Sequence, residues 1–352
     1  MLITILVAIS VLVLLILAHE LGHFITAKAS GVKVDEFGLG FPPRLLGIKR
    51  GETLYSLNAI PLGGFTKIAG EEDPEVERSL ASKGVGTRLL VLSAGSLMNA
   101  LLALLLLSVA FMVPRDIVIG QVVVEAVAEN SPAARAGLRA EDSIISVNDK
   151  TLNNTLDLSR HIRLNLGKET TFLVEHRDLN QEEVKLIPRW QPPQGEGAIG
   201  VAVRTLEPII VSQSEPFWRA IPLGVTEFIE TFVLYKNGII STIIGAAPAE
   251  FIGPVGIVQI TGEAAKAGVS PLLELAAVIS LILAIVNILP LPALDGGRIA
   301  FVLLEWVRRG KRISPKKEGL VHLVGFIMLM GLILAITYHD IIRIISGENL
   351  LP

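Results

Sequence analysis

Four stretches of this chain are apolar, with Glu274 at the outer end of the third as their one acidic or basic residue, and the hydrophobic pattern changes character between each pair. Met1 to Ala18 carries no charge and, with the residues that follow, is long enough to cross a hydrocarbon core as a helix. Leu89 to Val113 is Leu-rich, with Asn99 as its one strongly polar side chain; bonding across helices is the commoner role for such a residue, ahead of substrate contact. Leu272 to Leu289 and Leu320 to about Thr337 complete the set. A cleaved signal peptide is not expected at the start, because no Lys or Arg precedes the first run and no small-x-small site ends it. The pattern predicts a polytopic α-helical membrane protein with four transmembrane helices.

The connecting pieces read differently. Residues 28–88 hold nine Lys and Arg, many glycines and short alternating runs, which predict a small membrane-associated β segment, with Glu71 to Ser82 polar and mobile. From Asp116 to about Thr205 the periods alternate between strand and helix, enough for a folded domain. Strand-like Ile117–Val124 leads to a cap, a short helix and a Gly C-cap at Asn130–Leu138, then a strand from Asp142 and a helix over Leu156–Leu166. Strands at Thr170–His176, Glu183–Ile187 and Ile199–Arg204 follow. Its Ser-Pro-Ala-x-x-Ala-Gly-Leu stretch followed by Asp-x-Ile-x-x-Val-Asn resembles a PDZ domain in circularly permuted form. The resemblance implies one inserted α+β PDZ domain that takes a peptide or chain terminus by strand addition; a spacer or steric gate without a bound peptide stands beside that reading. His161 and His176 read as ordinary domain histidines. Pro216 to Ile244 interleaves Trp218, Phe228, Phe232 and Tyr235 with charges. That suits a helix on the bilayer surface, or equally one docked on the bundle.

The expected parts are 1–27, the first span; 28–88, the β or re-entrant segment; 89–113, the second span; and 114–206, the PDZ domain. Then come 207–270, the amphipathic helix and connector; 271–307, a broken third span; 308–319, a basic loop; and 320–345, the fourth span. Composition agrees: 51% hydrophobic and 18% charged residues over 352 positions, with mean hydropathy +0.59, is too apolar for a soluble protein of this size. A net charge of −3 without a basic stripe argues against nucleic acid. There is no cysteine, so a metal must be held by His, Asp or Glu.

The candidate chemistry sits where the first run ends, at His19-Glu20-Leu21-Gly22-His23. In a helix the two imidazoles lie one turn apart on one face, a spacing that lets them share a zinc ion with Glu20 beside a bound water. Ionisable groups continuing a membrane-grade helix are functional candidates. A third ligand is needed. Glu305 can pair with Arg308 or Arg309, Asp340 and Glu274 sit at span ends where water reaches them, and His322 reads as a satisfied polar residue at a helix start. Asp295 alone combines depth with a backbone break, since Pro290, Pro292, Gly296 and Gly297 cannot continue a helix. Zinc at His19, His23 and Asp295 would bring the pKa of its water toward ~7, with Glu20 moving the proton to the leaving amine. A spanning substrate must unwind to be cut, and strand edges around Gly38–Phe41 and Gly63–Ile68 are natural partners for its freed backbone.

His-Glu-Leu-Gly-His in a first span with Asn287-x-x-Pro-x-Pro-x-Leu-Asp295-Gly-Gly in a third resembles the site-2 protease family of intramembrane zinc metalloproteases, of the bacterial regulator-of-sigma-E-protease type. The resemblance extends to Gly-x-Gly-Phe at residues 38–41 and to Gly253-Pro254-Val255-Gly256-Ile257. It implies Zn2+ at His19, His23 and Asp295, Glu20 as catalytic base, and substrate contacts from Asn287, Gly38, Gly40, Phe41, Gly64 and Phe65. It also implies regulated cleavage of single-span membrane proteins, anti-sigma factors or remnant signal peptides, with the PDZ domain limiting access. Gly95-Ser96-Leu97-Met98-Asn99 lacks the proline of the family's Gly-Pro-x-x-Asn, so no catalytic role is assigned to Asn99. The Lys/Arg bias of 28–88 and 308–317 puts both on the cytoplasmic side. That predicts a multi-pass inner (plasma) membrane protein with the PDZ domain outside and the active site toward the cytoplasm. A scaffold with structural zinc would need a fourth protein ligand, and none is evident. A transporter would need an inverted repeat, and none is found.

Overall fold

The computed structural model describes residues 2–248 and 252–346. In chain order its elements are α1 (Leu2–Ala29), β1 (Val34–Arg50), β2 (Thr53–Ile68), α2 (Val85–Met112), β3 (Arg115–Val127), α3 (Pro132–Arg135), β4 (Ser143–Val147), β5 (Lys150–Thr151), α4 (Thr155–Leu164), β6 (Thr170–Glu175), β7 (Gln181–Leu186), β8 (Val201–Gln213), α5 (Phe217–Ile243), α6 (Pro254–Ala267), α7 (Val269–Ile288), α8 (Asp295–Val307) and α9 (Pro315–Ser346). The chain divides into two units, Met1–Ala110 with Phe251–Pro352, and Phe111–Glu250.

In the first unit, α1, α2, α7 and α9 are long and apolar enough to cross a membrane. Even α7, with 20 residues, reaches about 30 Å, the thickness of a bilayer's hydrocarbon core. Small residues let the helices approach. A Cβ on Gly22 would overlap the carbonyl of Ala94, so α1 and α2 meet backbone to backbone, and Gly262 of α6 makes room for the Thr4 side chain of α1. Ser280 of α7 donates to the carbonyl of Asn99 at 2.8 Å, and Ser270 to that of Ala110 at 3.1 Å.

β1 and β2 form one antiparallel sheet folded on itself. Residues 34–39 pair with 64–68 on one side and 36–39 with 54–57 on the other, Phe41 pairs with Ile60, and 44–50 pair with 53–58. The fold-back falls at Pro42 and Pro43, which lack the N–H that would extend the ladder, and at Gly63, whose φ of +115° suits only glycine. The expected edge at Gly38–Phe41 is therefore corrected: Gly38 and Leu39 are paired on both sides, and the outer strands are 44–50 and 64–68.

Three further expectations change here. The stretch after β2 is packed at both ends, with Ser79, Leu80 and Ala81 buried and Glu71 paired to Arg298 of α8 at 2.6 Å, while residues 73–78 between them are exposed. The connector ahead of the third span contains a helix, α6, whose Gly256 N–H donates to Asp340 of α9 at 2.8 Å; Asp340 is wholly buried, not water-solvated at a span end. Glu305 pairs with Arg88 of α2 at 2.6 Å and with Arg312 at 2.9 Å, not with Arg308 or Arg309.

The second unit holds a sheet of order β7-β6-β4-β3-β8 with β5 on β4. Ser131 caps α3 by accepting from the Ala134 N–H, and Asn154 caps α4 by accepting from Leu156 and Asp157. β6 alternates buried and half-buried positions, as a strand with one face on a core must. That core gathers Val122, Val124, Ile144, Leu158, Phe172 and Val174. The polar side of α5 packs on α4, where Arg160 pairs with Glu227 at 2.7 Å and Glu230 at 3.1 Å, and Asn237 donates to the Arg163 carbonyl at 2.8 Å. Phe217, Trp218, Ile221, Ile229 and Phe232 remain exposed on α5.

Candidate metal centre

α1 runs unbroken through His19-Glu20-Leu21-Gly22-His23, so the helical repeat sets both imidazoles on one face with ring centroids 4.8 Å apart. α7 ends at Ile288, the chain unwinds through 289–294, and Asp295 opens α8. Its Oδ2 lies 3.0 Å from His19 Nε2 and 3.1 Å from His23 Nε2, and the two Nε2 atoms are 3.2 Å apart. Donors on a tetrahedral zinc with bonds of about 2 Å stand roughly 3.3 Å from one another, so this triangle is of the right size. Among the described residues these three form the one cluster of His, Cys, Asp or Glu side chains close enough to hold a metal ion together.

The atoms behind the imidazoles select their tautomers. His23 Nδ1 stands 2.8 Å from the Val91 carbonyl, which can only accept, so the Nδ1 proton is fixed there and the Nε2 lone pair points into the triangle. His19 Nδ1 faces the side-chain amide of Asn99 at 3.5 Å. As oriented, that amide leaves its buried Oδ1 without a partner; turned by 180° it accepts the Nδ1 proton of His19 and frees Nε2 in the same way. A Cβ on Gly95 would overlap both imidazoles, so only glycine lets α2 come this close. Gly95, Asn99 and the Val91 carbonyl were missed as site groups from the sequence. The available signal was a Gly and an Asn four residues apart in an otherwise apolar span.

Glu20 follows His19, and its stem lies against the outer strand, where a Cβ on Gly64 would come within 3.4 Å of Glu20 Cγ. Thr66 Oγ1 donates to the Glu20 carbonyl at 3.0 Å, tying that strand to α1 beside the site. The remaining expected contacts spread out. Gly38 and Gly40 are buried inside the sheet, Phe65 stacks over Gly38, and Phe41 is 47% exposed over Gly63. Asn287 is half-buried in the last turn of α7. An open apolar groove of about 390 Å³ runs between Leu17 of α1 and Phe37, Leu39, Leu46, Tyr55 and Leu57 of the sheet.

Comparison with known proteins adds the class. The model of peptidase family M50 matches residues 7–332. "Putative zinc metalloprotease CPE1693" of Clostridium perfringens is 37% identical over 340 residues, spanning 93% of this chain and 95% of its own length. "Putative zinc metalloprotease CA_C1796" of Clostridium acetobutylicum is 33% identical over 340 residues, 96% of this chain and 97% of its own. "Zinc metalloprotease RasP" of Geobacillus kaustophilus is 29% identical over 414 residues, 93% and 95% of the two chains. The chain belongs to peptidase family M50, the site-2 protease family. It is a zinc metalloprotease of the membrane, with Zn2+ as its cofactor. The donor set fits that metal: two imidazole nitrogens and a carboxylate oxygen, the complement of hydrolytic zinc sites that keep a position open.

Proposed function

We propose that this protein hydrolyses peptide bonds within the transmembrane segments of membrane-anchored substrates, with His19, His23 and Asp295 holding the zinc and Glu20 as the catalytic base. The observation that carries the reading is the triangle of His19 Nε2, His23 Nε2 and Asp295 Oδ2, with sides of 3.0 to 3.2 Å, at the end of a helix apolar enough to span a bilayer. Zinc, when bound, acts as the Lewis acid that activates water and polarises the scissile carbonyl. The Glu20 carboxylate would accept a proton from the attacking water and return it to the leaving amine. His23 and His19 keep their Nε2 lone pairs available because Val91 and Asn99 engage the opposite nitrogens.

A helical substrate hides its carbonyls in its own hydrogen bonds, so it must unwind before Glu20 can act on it. The outer strand at residues 64–68 is the candidate partner for the unwound stretch. Among the described residues it is paired on one side only, and Gly64 lies against Glu20. The groove lined by Leu17, Phe37, Leu39 and Tyr55 would take the substrate's apolar side chains. Asn287, Gly38, Gly40, Phe41 and Phe65 are assigned to substrate contact by resemblance to the family. Gly38 and Gly40 act through the shape of the sheet, since Gly38 is paired on both sides and the Gly40 carbonyl accepts from the Asn58 amide.

The second unit reads as a single PDZ domain. Capped α4 beside a sheet in the order β7-β6-β4-β3-β8 supports this, as does the motif around Ser131. It would take a peptide or chain terminus, or act as a gate that limits access. The exposed apolar side of α5 suits the lipid interface. With the basic residues of 28–88 and 308–317 on the cytoplasmic side of the inner (plasma) membrane, this unit is extracytoplasmic and the zinc site lies toward the cytoplasm. The substrates are then single-span proteins, anti-sigma factors or remnant signal peptides, in regulated intramembrane proteolysis. In detergent or vesicles, wild type should cleave a model single-span substrate within its span. Glu20→Gln should lose about 10²- to 10⁴-fold in rate while still binding zinc. Equal product from the two, or cutting outside the span, overturns the reading.

A further inference from the structure

The unwound segment ahead of Asp295 rests in a notch on α9 that takes no part in the chemistry. Ala293 has φ of +74°, a left-handed backbone that a residue with a side chain rarely adopts and that persists only when its surroundings hold it. Backbone hydrogen bonds close the turn on either side of it, from Leu294 N–H to the Leu291 carbonyl and from Gly297 N–H to the Leu294 carbonyl, and one side chain binds the residue itself. The Ala293 N–H donates to His322 Nδ1 at 3.0 Å. One turn further along α9, Gly325 lets Pro292 seat on the helix, for a Cβ there would overlap the proline ring and stand 3.0 Å from its carbonyl oxygen. Gly297 fits against the other side of the imidazole, where a Cβ would be 3.1 Å from His322 Cε1, and Phe301 sets the ring from 5.6 Å.

His322 Nε2 is buried without a hydrogen-bond partner among the described residues. With Nδ1 accepting from Ala293, the ring proton sits on that orphan nitrogen, an unfavourable arrangement which an apolar residue at this place would avoid. The imidazole contributes one thing in exchange: an acceptor aimed at the strained residue two positions before Asp295. We infer that His322 is a positioning residue of the zinc site, fixing the turn that aims the Asp295 carboxylate. The inference rests on the assignment of Asp295 as a zinc ligand.

The test uses the full-length protein, with zinc affinity from competition with a chromogenic chelator and the visible spectrum of the Co2+-loaded form. His322→Ala should bind zinc about tenfold more weakly, as losses behind a ligand do, and should shift the Co2+ bands. His322→Asn, whose Oδ1 stands where Nδ1 does, should restore both. His322→Gln, whose oxygen falls beyond that point, should not. Unchanged affinity and spectrum in His322→Ala, or identical behaviour of the Asn and Gln variants, overturns the inference. The Asn–Gln comparison decides it even where the Ala variant fails to fold. Asp295→Ala separates the two layers of argument. If that variant keeps wild-type affinity and spectrum, the ligand assignment itself fails; if it loses both while His322→Ala loses neither, the inference alone fails.

Discussion

A histidine binds zinc through one nitrogen only if the other carries the proton, so what stands behind each imidazole matters as much as what stands in front. Val91 offers a carbonyl, which leaves His23 no choice. Asn99 offers an amide with two faces, and only the oxygen face gives His19 the tautomer a metal requires. This makes a sharp expectation. Asn99→Asp keeps an acceptor at that point and should hold zinc near wild-type strength, whereas Asn99→Leu should weaken it by about tenfold or more, read by chelator competition. Gly64 is tested on a different axis. A valine there crowds Glu20 and the Gly38 carbonyl without touching the metal ligands, so kcat/KM should fall at least about tenfold at unchanged zinc content.

At the scale of elements, the site is a meeting of α1, α2 and α8, and each contact has its own physical basis. α2 is admitted by Gly95 and Gly22, α9 seats the unwound turn, and α8 is held at its far end by charge. Glu305 there joins Arg88, which is 7% exposed, to Arg312, whose guanidinium also donates to the Ala81 carbonyl at 2.8 Å. Glu305→Ala strands a buried cation, and the expected loss of stability is about 3–5 kcal/mol, measured as a lower denaturation midpoint in detergent. Arg88→Met with Glu305→Leu removes both charges and should recover most of it. The folded sheet obeys the same economy of space: prolines at 42 and 43 turn the chain, residues 36–39 become an inner strand, and 44–50 and 64–68 lie outermost.

At the scale of the molecule, the second unit carries a core of its own, and its response to pH can be separated from that of the zinc site. His176 bonds to Asp142 at 2.9 Å and to Glu182 at 3.3 Å, and these carboxylates raise its pKa above the ordinary 6.5. A pKa raised by folding means the charged form is favoured in the native state. The contribution is complete below pH 6.5, the unfolded value, and disappears as pH climbs through the folded one. Amides of β6 and β7 in the intact protein should therefore exchange faster in His176→Ala than in wild type below pH 6, with the gap closing at alkaline pH. Of the whole, the four spans, the alternation of the second unit, the His-x-x-x-His pair and the break that isolates Asp295 were legible in the sequence. They depend on period, charge and the backbone rules of proline and glycine, all of which act over a few residues. What only the tertiary structure decided is which long-range partners those residues meet: Asn99 behind His19, His322 under Ala293, Asp340 on α6, Arg88 with Glu305, and Gly38 closed in on both sides. Those pairings are set by how close small residues allow two backbones to come, and closeness between segments far apart in the chain leaves no periodic trace along it.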